Sequence, residues 1–227
     1  MMTLNVTRVF TILRPEIITA GECISCNDGG SRNSEIFESA ISVGAVYDRL
    51  YNTKMSSARG LLLVNTGNGK GKSTAAFGVA FRAIGHGLTV SIIQFIKGKW
   101  KTGEMESARR LGLELMPMGK GFTWESKNIE EDKELMRQAW TIASEKILSG
   151  NYDLIILDEL NYVLGYGYIP VDDVVRMLRS RPPYVHVVLT GRNAPDEILA
   201  IADCVTEMRD IKHPYRSGIP AQRGIDF

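Results

Sequence analysis

Charge of one sign, cysteine, histidine and long apolar runs are all scarce in this sequence, and each scarcity closes off a class of function. The 27 Lys and Arg against 26 Asp and Glu leave a formal net charge of +1, without the basic excess that nucleic-acid or anionic-membrane binding usually shows. No nucleic-acid partner is expected. No apolar stretch approaches the ~20 residues of a membrane-spanning helix, and the opening MMTLNVTRVFTILRP lacks both a clear apolar signal core and a small-residue cleavage site. A cytoplasmic protein with no membrane partner is the expectation. The three cysteines, Cys23, Cys26 and Cys204, are too few for a disulfide scaffold in a chain of 227 residues. Cys23 and Cys26 have metal or redox spacing, but no second Cys pair exists and His86, His186 and His213 all lie far downstream. Half a tetrahedral ligand set is a poor match to a metal site.

What is present divides the chain in two. Residues 1 to 59 hold a β-like opening, the loop-forming CNDGGSRNS and a helical pattern from Ser34 to Tyr51. They are expected to be an N-terminal extension, either partly disordered or lying ahead of a true start at Met55. From Gly60 to residue 227, short β-branched apolar runs alternate with helical patterns, the signature of a mostly parallel α/β sheet flanked by helices. Six strands are predicted, at 61 to 66, 89 to 95, 113 to 117, 153 to 159, 184 to 190 and 204 to 208. Helices are predicted at 72 to 85, 104 to 111, 129 to 148, 171 to 180 and 195 to 201. Pro170 ahead of Asp172 and Asp173, and Pro195 ahead of Asp196 and Glu197, put proline and acids where helix starts favour them.

Directly behind LLLV and ahead of AAFGVA stands GNGKGKST, residues 67 to 74. Between a strand and a helix, glycines let backbone N–H groups turn inward around oxyanions while the helix aims its positive end at them. Gly67, Gly69 and Gly71 supply the turns, and Asn68 and Lys70 line the loop. Lys72 is placed to contact phosphate as a point charge, and Ser73 to offer its hydroxyl to Mg²⁺. The match to G-x-x-x-x-G-K-[ST] is a close variant, because its first position falls on Thr66. An ordinary glycine turn is the bland alternative, but strand, loop, Lys-Ser and helix come in the order phosphate binding needs.

YDLIILDE ends a wholly apolar strand in Asp158 and Glu159, where the carboxyl ends of parallel strands converge on a ligand crevice. Taken alone this is more often a helix-capping turn; beside a phosphate loop, one of the two acids is expected to serve a divalent cation. QFIKGKWKTGE reads as a ligand-facing loop. GKGFTWES sets Phe122 and Trp124 in a glycine-bordered loop, either as loop anchors or as a platform for a large flat apolar partner. Fold and phosphate loop alone do not choose between hydrolysis of ATP, phosphoryl transfer and other chemistry.

The separated motifs TGNGKGKST, AAFGVAFRAIGHG, IIQFIKG, GFTWES, LIILDELNYVLGYGYI, VVLTGRNAP and HPYRSGIPAQRGIDF together resemble the CobA/CobO/BtuR-type ATP:corrinoid adenosyltransferases over roughly residues 60 to 227. That resemblance implies a RecA-like P-loop NTPase fold, a homodimer, and transfer of the 5′-deoxyadenosyl group of ATP to cob(I)alamin or a related cob(I)rrinoid with release of triphosphate. It implies ATP and a corrinoid as substrates, Mg²⁺ or Mn²⁺ as the metal, and a flavoprotein or other reductase supplying Co(I). Carried onto this chain, Gly67 through Ser73 bind triphosphate and Arg82 supports the nucleotide. Ser73 and Glu159 hold the metal, and Phe122 and Trp124 pack on the corrin and displace its lower ligand. Lys72, Arg82 and Glu159 are thereby the implied catalytic set, with Arg192 at the mouth of strand five. His213 and Gln222 are weaker candidates, and His213 reads better as a packing residue. An ordinary RecA-like ATPase or kinase, and a corrinoid-delivery protein without turnover, remain as rivals.

Overall fold

A computed structural model describes residues 59–98, 102–119, 121 and 129–226. The N-terminal readings, the Cys23 and Cys26 pair, and the loop bearing Phe122 and Trp124 lie outside the described residues. Within them six strands form one sheet, all parallel: β1 (Leu62–Thr66), β2 (Val90–Gln94), β3 (Glu114–Pro117), β4 (Leu154–Asp158), β5 (His186–Thr190) and β6 (Cys204–Glu207). Their order is β3-β2-β4-β5-β1-β6. The phosphate-loop strand β1 is thus separated from the acid-bearing strand β4 by β5. The parallel α/β sheet flanked by helices expected from the sequence is present, and all six predicted strands are found.

Burial explains the runs. β2 and β4 are buried at every position because a parallel sheet is covered on both faces, so their sequences are apolar almost throughout rather than alternating. One face packs Ile93, Ile155, Leu157 and Val187 against Met136, Ala139 and Ala143 of helix α3 (Ile129–Ser149) and Val174 and Leu178 of helix α5 (Val171–Ser180). The other packs Ile92, Ile156 and Val188 against helix α1 (Lys72–Gly85). That helix meets the sheet through Ala76, Ala80 and Ala83, a stripe at helical spacing whose small side chains let the backbone come close. Close seating sets its N-terminus at the end of β1.

Helix α2 (Gly103–Leu111) is capped by Thr102, whose side chain accepts from the Met105 N–H at 3.4 Å. Helix α6 (Asp196–Ile201) starts behind Pro195, as α5 starts behind Pro170, with acids in the first turn. Two elements were not anticipated: the short helix α4 (Leu160–Gly165) directly behind Glu159, and a 3₁₀ turn at Pro214–Ser217. Arg59, the first described residue, pairs with Asp203, which also accepts the Leu62 N–H at 2.8 Å.

Candidate active site

The carboxyl ends of β1, β4 and β5 and the start of α1 converge. Gly67 to Gly71 form the turn between β1 and α1, with Gly71 at the helix N-cap in a left-handed conformation (φ 106°). Gly67 and Gly69 are required for a second reason. A Cβ at Gly67 would fall 2.5 Å from the Met208 carbonyl oxygen, and one at Gly69 2.6 Å from that of Arg209. Only a residue without a side chain lets the segment after β6 lie along the loop. That segment closes the outer wall: the Gly69 N–H bonds the Met208 carbonyl at 2.6 Å, and the Asp226 side chain pairs with Lys70. The Lys72 ammonium reaches back to the Gly69 carbonyl at 2.6 Å. Asn65, at the end of β1, donates to the Lys72 carbonyl at 3.2 Å and so ties strand to helix.

The electrostatics suit an anion. Burial and then the nearby Arg192 guanidinium hold the Lys72 ammonium below its ordinary range, with Glu159 pulling the other way. Two cations crowded in a partly desolvated site favour a polyanionic ligand, which would relieve both. Arg192 follows β5, and its charge offsets part of the rise that burial imposes on the Tyr162 phenol in α4.

The two acids take different parts. Asp158 is fully buried, and both of its oxygens are used: Oδ1 accepts from the Thr190 hydroxyl at 2.8 Å and Oδ2 from the Gln94 amide at 2.9 Å. Glu159 has a left-handed backbone (φ 67°) and a buried Oε2 with no hydrogen-bond donor in reach. Burial, and then the charge of Asp158, push its carboxyl up to about 7, against the pull of Lys97 and Lys72. A buried, unpartnered carboxylate oxygen facing two cations fits a hard cation better than Asp158 does. Of the two, Glu159 is the one free to take a metal.

The structure therefore brings together Gly67, Asn68, Gly69, Lys70, Gly71, Lys72, Ser73, Glu159 and Arg192. It does not bring Arg82 to the loop: Arg82 is exposed in the last turn of α1, about 15 Å along the helix from Lys72. His213 caps the 3₁₀ turn, its Nδ1 accepting from the Tyr215 N–H at 3.2 Å, which agrees with its packing reading. Gln222 is exposed and bonds the Pro220 carbonyl. Phe122 and Trp124 fall outside the described residues. Sequence reasoning read QFIKGKWKTGE as ligand-facing but did not single out Lys97, which pairs with Glu104 at 3.8 Å and lies 5.9 Å from the Phe77 ring centre. It also missed Tyr162, Gln94 and Thr190. A cation three residues past the end of β2 was the available signal for Lys97.

Comparison with known proteins bears on the same residues. A family model described as ATP:corrinoid adenosyltransferase BtuR/CobO/CobP matches residues 58–227. The Corrinoid adenosyltransferase of Escherichia coli K12 is 45% identical over 169 residues, which cover 74% of this chain and 86% of that protein. A Sinorhizobium Corrinoid adenosyltransferase is 46% identical over 187 residues, 81% of this chain and 87% of the relative. Corrinoid adenosyltransferase CobA of Salmonella typhimurium is 44% identical, with 74% and 86% covered. With a phosphate loop, an unpartnered acid opposite it and a family match from before β1 to the last residue, this chain belongs to the ATP:corrinoid adenosyltransferase family.

Proposed function

We infer that this chain transfers the 5′-deoxyadenosyl group of ATP to the cobalt of a reduced corrinoid, releasing triphosphate. The observation that carries this reading is the phosphate loop, with Lys72 and Arg192 at its mouth, in a chain that matches the family over the whole of that unit. In the reaction the cobalt electron pair attacks C5′, the Co–C bond forms as the C5′–O bond breaks, and the bonding pair leaves on triphosphate. Cobalt passes formally from Co(I) to Co(III). Co(I) is itself a strong nucleophile, so the protein has no need to generate one. Its task is orientation and stabilisation of the leaving charge.

The loop amides, the N-terminus of α1 and Lys72 are proposed to hold the triphosphate, with Arg192 and Lys97 adding positive charge from the ends of β5 and β2. Ser73 and Glu159 would hold a divalent cation, Mg²⁺ or Mn²⁺, through hard oxygen donors; the unpartnered Glu159 Oε2 supports this. When bound, the cation would neutralise charge on the departing phosphates. Phe122 and Trp124 are proposed to pack on the corrin face, where displacing the lower axial ligand makes Co(II) easier to reduce. A homodimer, a flavoprotein or other reductase as electron source, and a cytoplasmic setting complete the proposal.

The test is incubation with ATP, Mg²⁺ and chemically reduced cobalamin. The expected result is the spectrum of a Co–C bonded product with triphosphate in equal amount. ADP with an unaltered corrinoid would instead indicate an ATPase with Glu159 as the base. Tight cobalamin binding without a Co–C bond would indicate a delivery protein.

A further inference from the structure

We propose that Thr190 is a positioning residue, whose hydroxyl locks the Glu159 backbone in the conformation that aims its carboxylate into the site. Thr190 is the last residue of β5 and is fully buried. Its Oγ1 accepts from the Glu159 N–H at 2.9 Å and donates to Asp158 Oδ1 at 2.8 Å, while Asp158 Oδ2 accepts from the Gln94 amide at 2.9 Å. The direction of this chain follows from donor chemistry. A carboxylate only accepts, so the single hydroxyl proton must go to Asp158, which leaves the Thr190 lone pairs for the Glu159 N–H. Asp158 and Gln94 thus fix the rotor, and the rotor fixes the next peptide.

That peptide needs fixing. Glu159 sits at φ 67° and ψ 17°, a left-handed conformation that a residue with a Cβ adopts only at a cost. With ordinary strand geometry its side chain would leave on a different heading. Held as it is, its Oε2 is buried without a hydrogen-bond partner and its carboxylate feels the charges of Lys97 and Lys72, and its carbonyl accepts the Tyr162 N–H at 3.2 Å to begin α4. The role in turnover rests on the adenosyl-transfer reading; the backbone role does not.

The test compares wild type, Thr190→Val, Thr190→Ser, Glu159→Gln and the Thr190→Val/Glu159→Gln pair, in adenosylation and in calorimetric binding of ATP with Mg²⁺. Thr190→Val should lower kcat/KM by about 10- to 100-fold, as loss of a group that orients a ligand-holding residue does, and Thr190→Ser should recover most of it. The pair should bind ATP with Mg²⁺ no more weakly than Glu159→Gln alone, because Thr190 acts only through Glu159. Wild-type turnover in Thr190→Val, no recovery by serine, or losses that multiply in the pair would each overturn the proposal. If Thr190→Val fails to fold, Thr190→Val/Asp158→Asn removes the buried charge that has lost one of its two partners and should fold yet stay slow; a wild-type rate there overturns the role. If the wild type itself adenosylates no corrinoid, the functional reading fails. Thr190 is then decided by the binding measurement, where Thr190→Val must still weaken ATP with Mg²⁺.

Discussion

Glu159 and Lys72 are held in conditions neither would choose alone, and each leads to a prediction. With its carboxyl pushed up to about 7, mainly by burial, Glu159 binds its proton more tightly in the folded chain than in the unfolded one. Stability therefore falls as pH rises from the ordinary glutamate range toward 7, and the full penalty remains above 7. Glu159→Gln in metal-free buffer should raise stability at pH 8 by about 1 to 3 kcal/mol, with the gain shrinking toward pH 5.5; melting curves at both values check this. The same variant should lose turnover, since the amide cannot hold a cation as a carboxylate does. Lys72 faces Arg192 in a partly desolvated loop. Lys72→Ala should fold and lose about 10²- to 10³-fold in kcat/KM for ATP, the usual cost of removing one preorganised charge partner. Unchanged kinetics in a folded Lys72→Ala protein would sink the phosphate-loop assignment.

Among the elements, β1 matters most because the loop hangs from its end. Its entry is held from two sides: the Leu61 N–H donates to His186 Nδ1 at 3.1 Å, and the Leu62 N–H to Asp203. A half-buried imidazole accepting at Nδ1 resists protonation: burial outweighs the pull of Asp153 and, with a smaller push from Arg181, holds His186 below its ordinary range. The unfolded chain takes up that proton first, so this contribution is present above the ordinary histidine value near 6.5 and is lost as pH falls below it. Glu159 acts in the opposite sense nearby, so the comparison must be differential. His186→Asn keeps an acceptor and removes the titration. The melting temperature of the wild type should drop relative to His186→Asn between pH 7 and pH 5, and parallel curves would refute the assignment.

For the molecule as a whole, the core clusters draw on residues from Leu62 to Ile198, and the family match begins at residue 58. Arg59 already pairs with Asp203 at the edge of β1. Removal of residues 1 to 54 should therefore leave the melting temperature within a few degrees and most of the activity, read from a melting curve and the adenosylation rate. Loss of soluble protein would show that the segment belongs to the unit.

The alternation of apolar runs with helical patterns was enough to place six strands and five helices, because burial on both sheet faces writes itself into consecutive residues such as LIIL before Asp158. The phosphate loop was legible for the same reason: its chemistry is local, and GNGKGKS carries turn, charge and hydroxyl within one stretch. Helix α4 and the 3₁₀ turn at Pro214–Ser217 are too short for a period to appear. The sequence could also name Asp158 and Glu159 without dividing their roles. That division depends on Gln94 and Thr190, which lie 64 and 32 positions from Asp158 and reach it only across the sheet. Likewise Met208 closes the loop at Gly69 only because β6 pairs beside β1. Local chemistry is set by neighbours in the chain, whereas which acid is occupied and which is free is set by hydrogen bonds between strands, and these exist only once the sheet has formed.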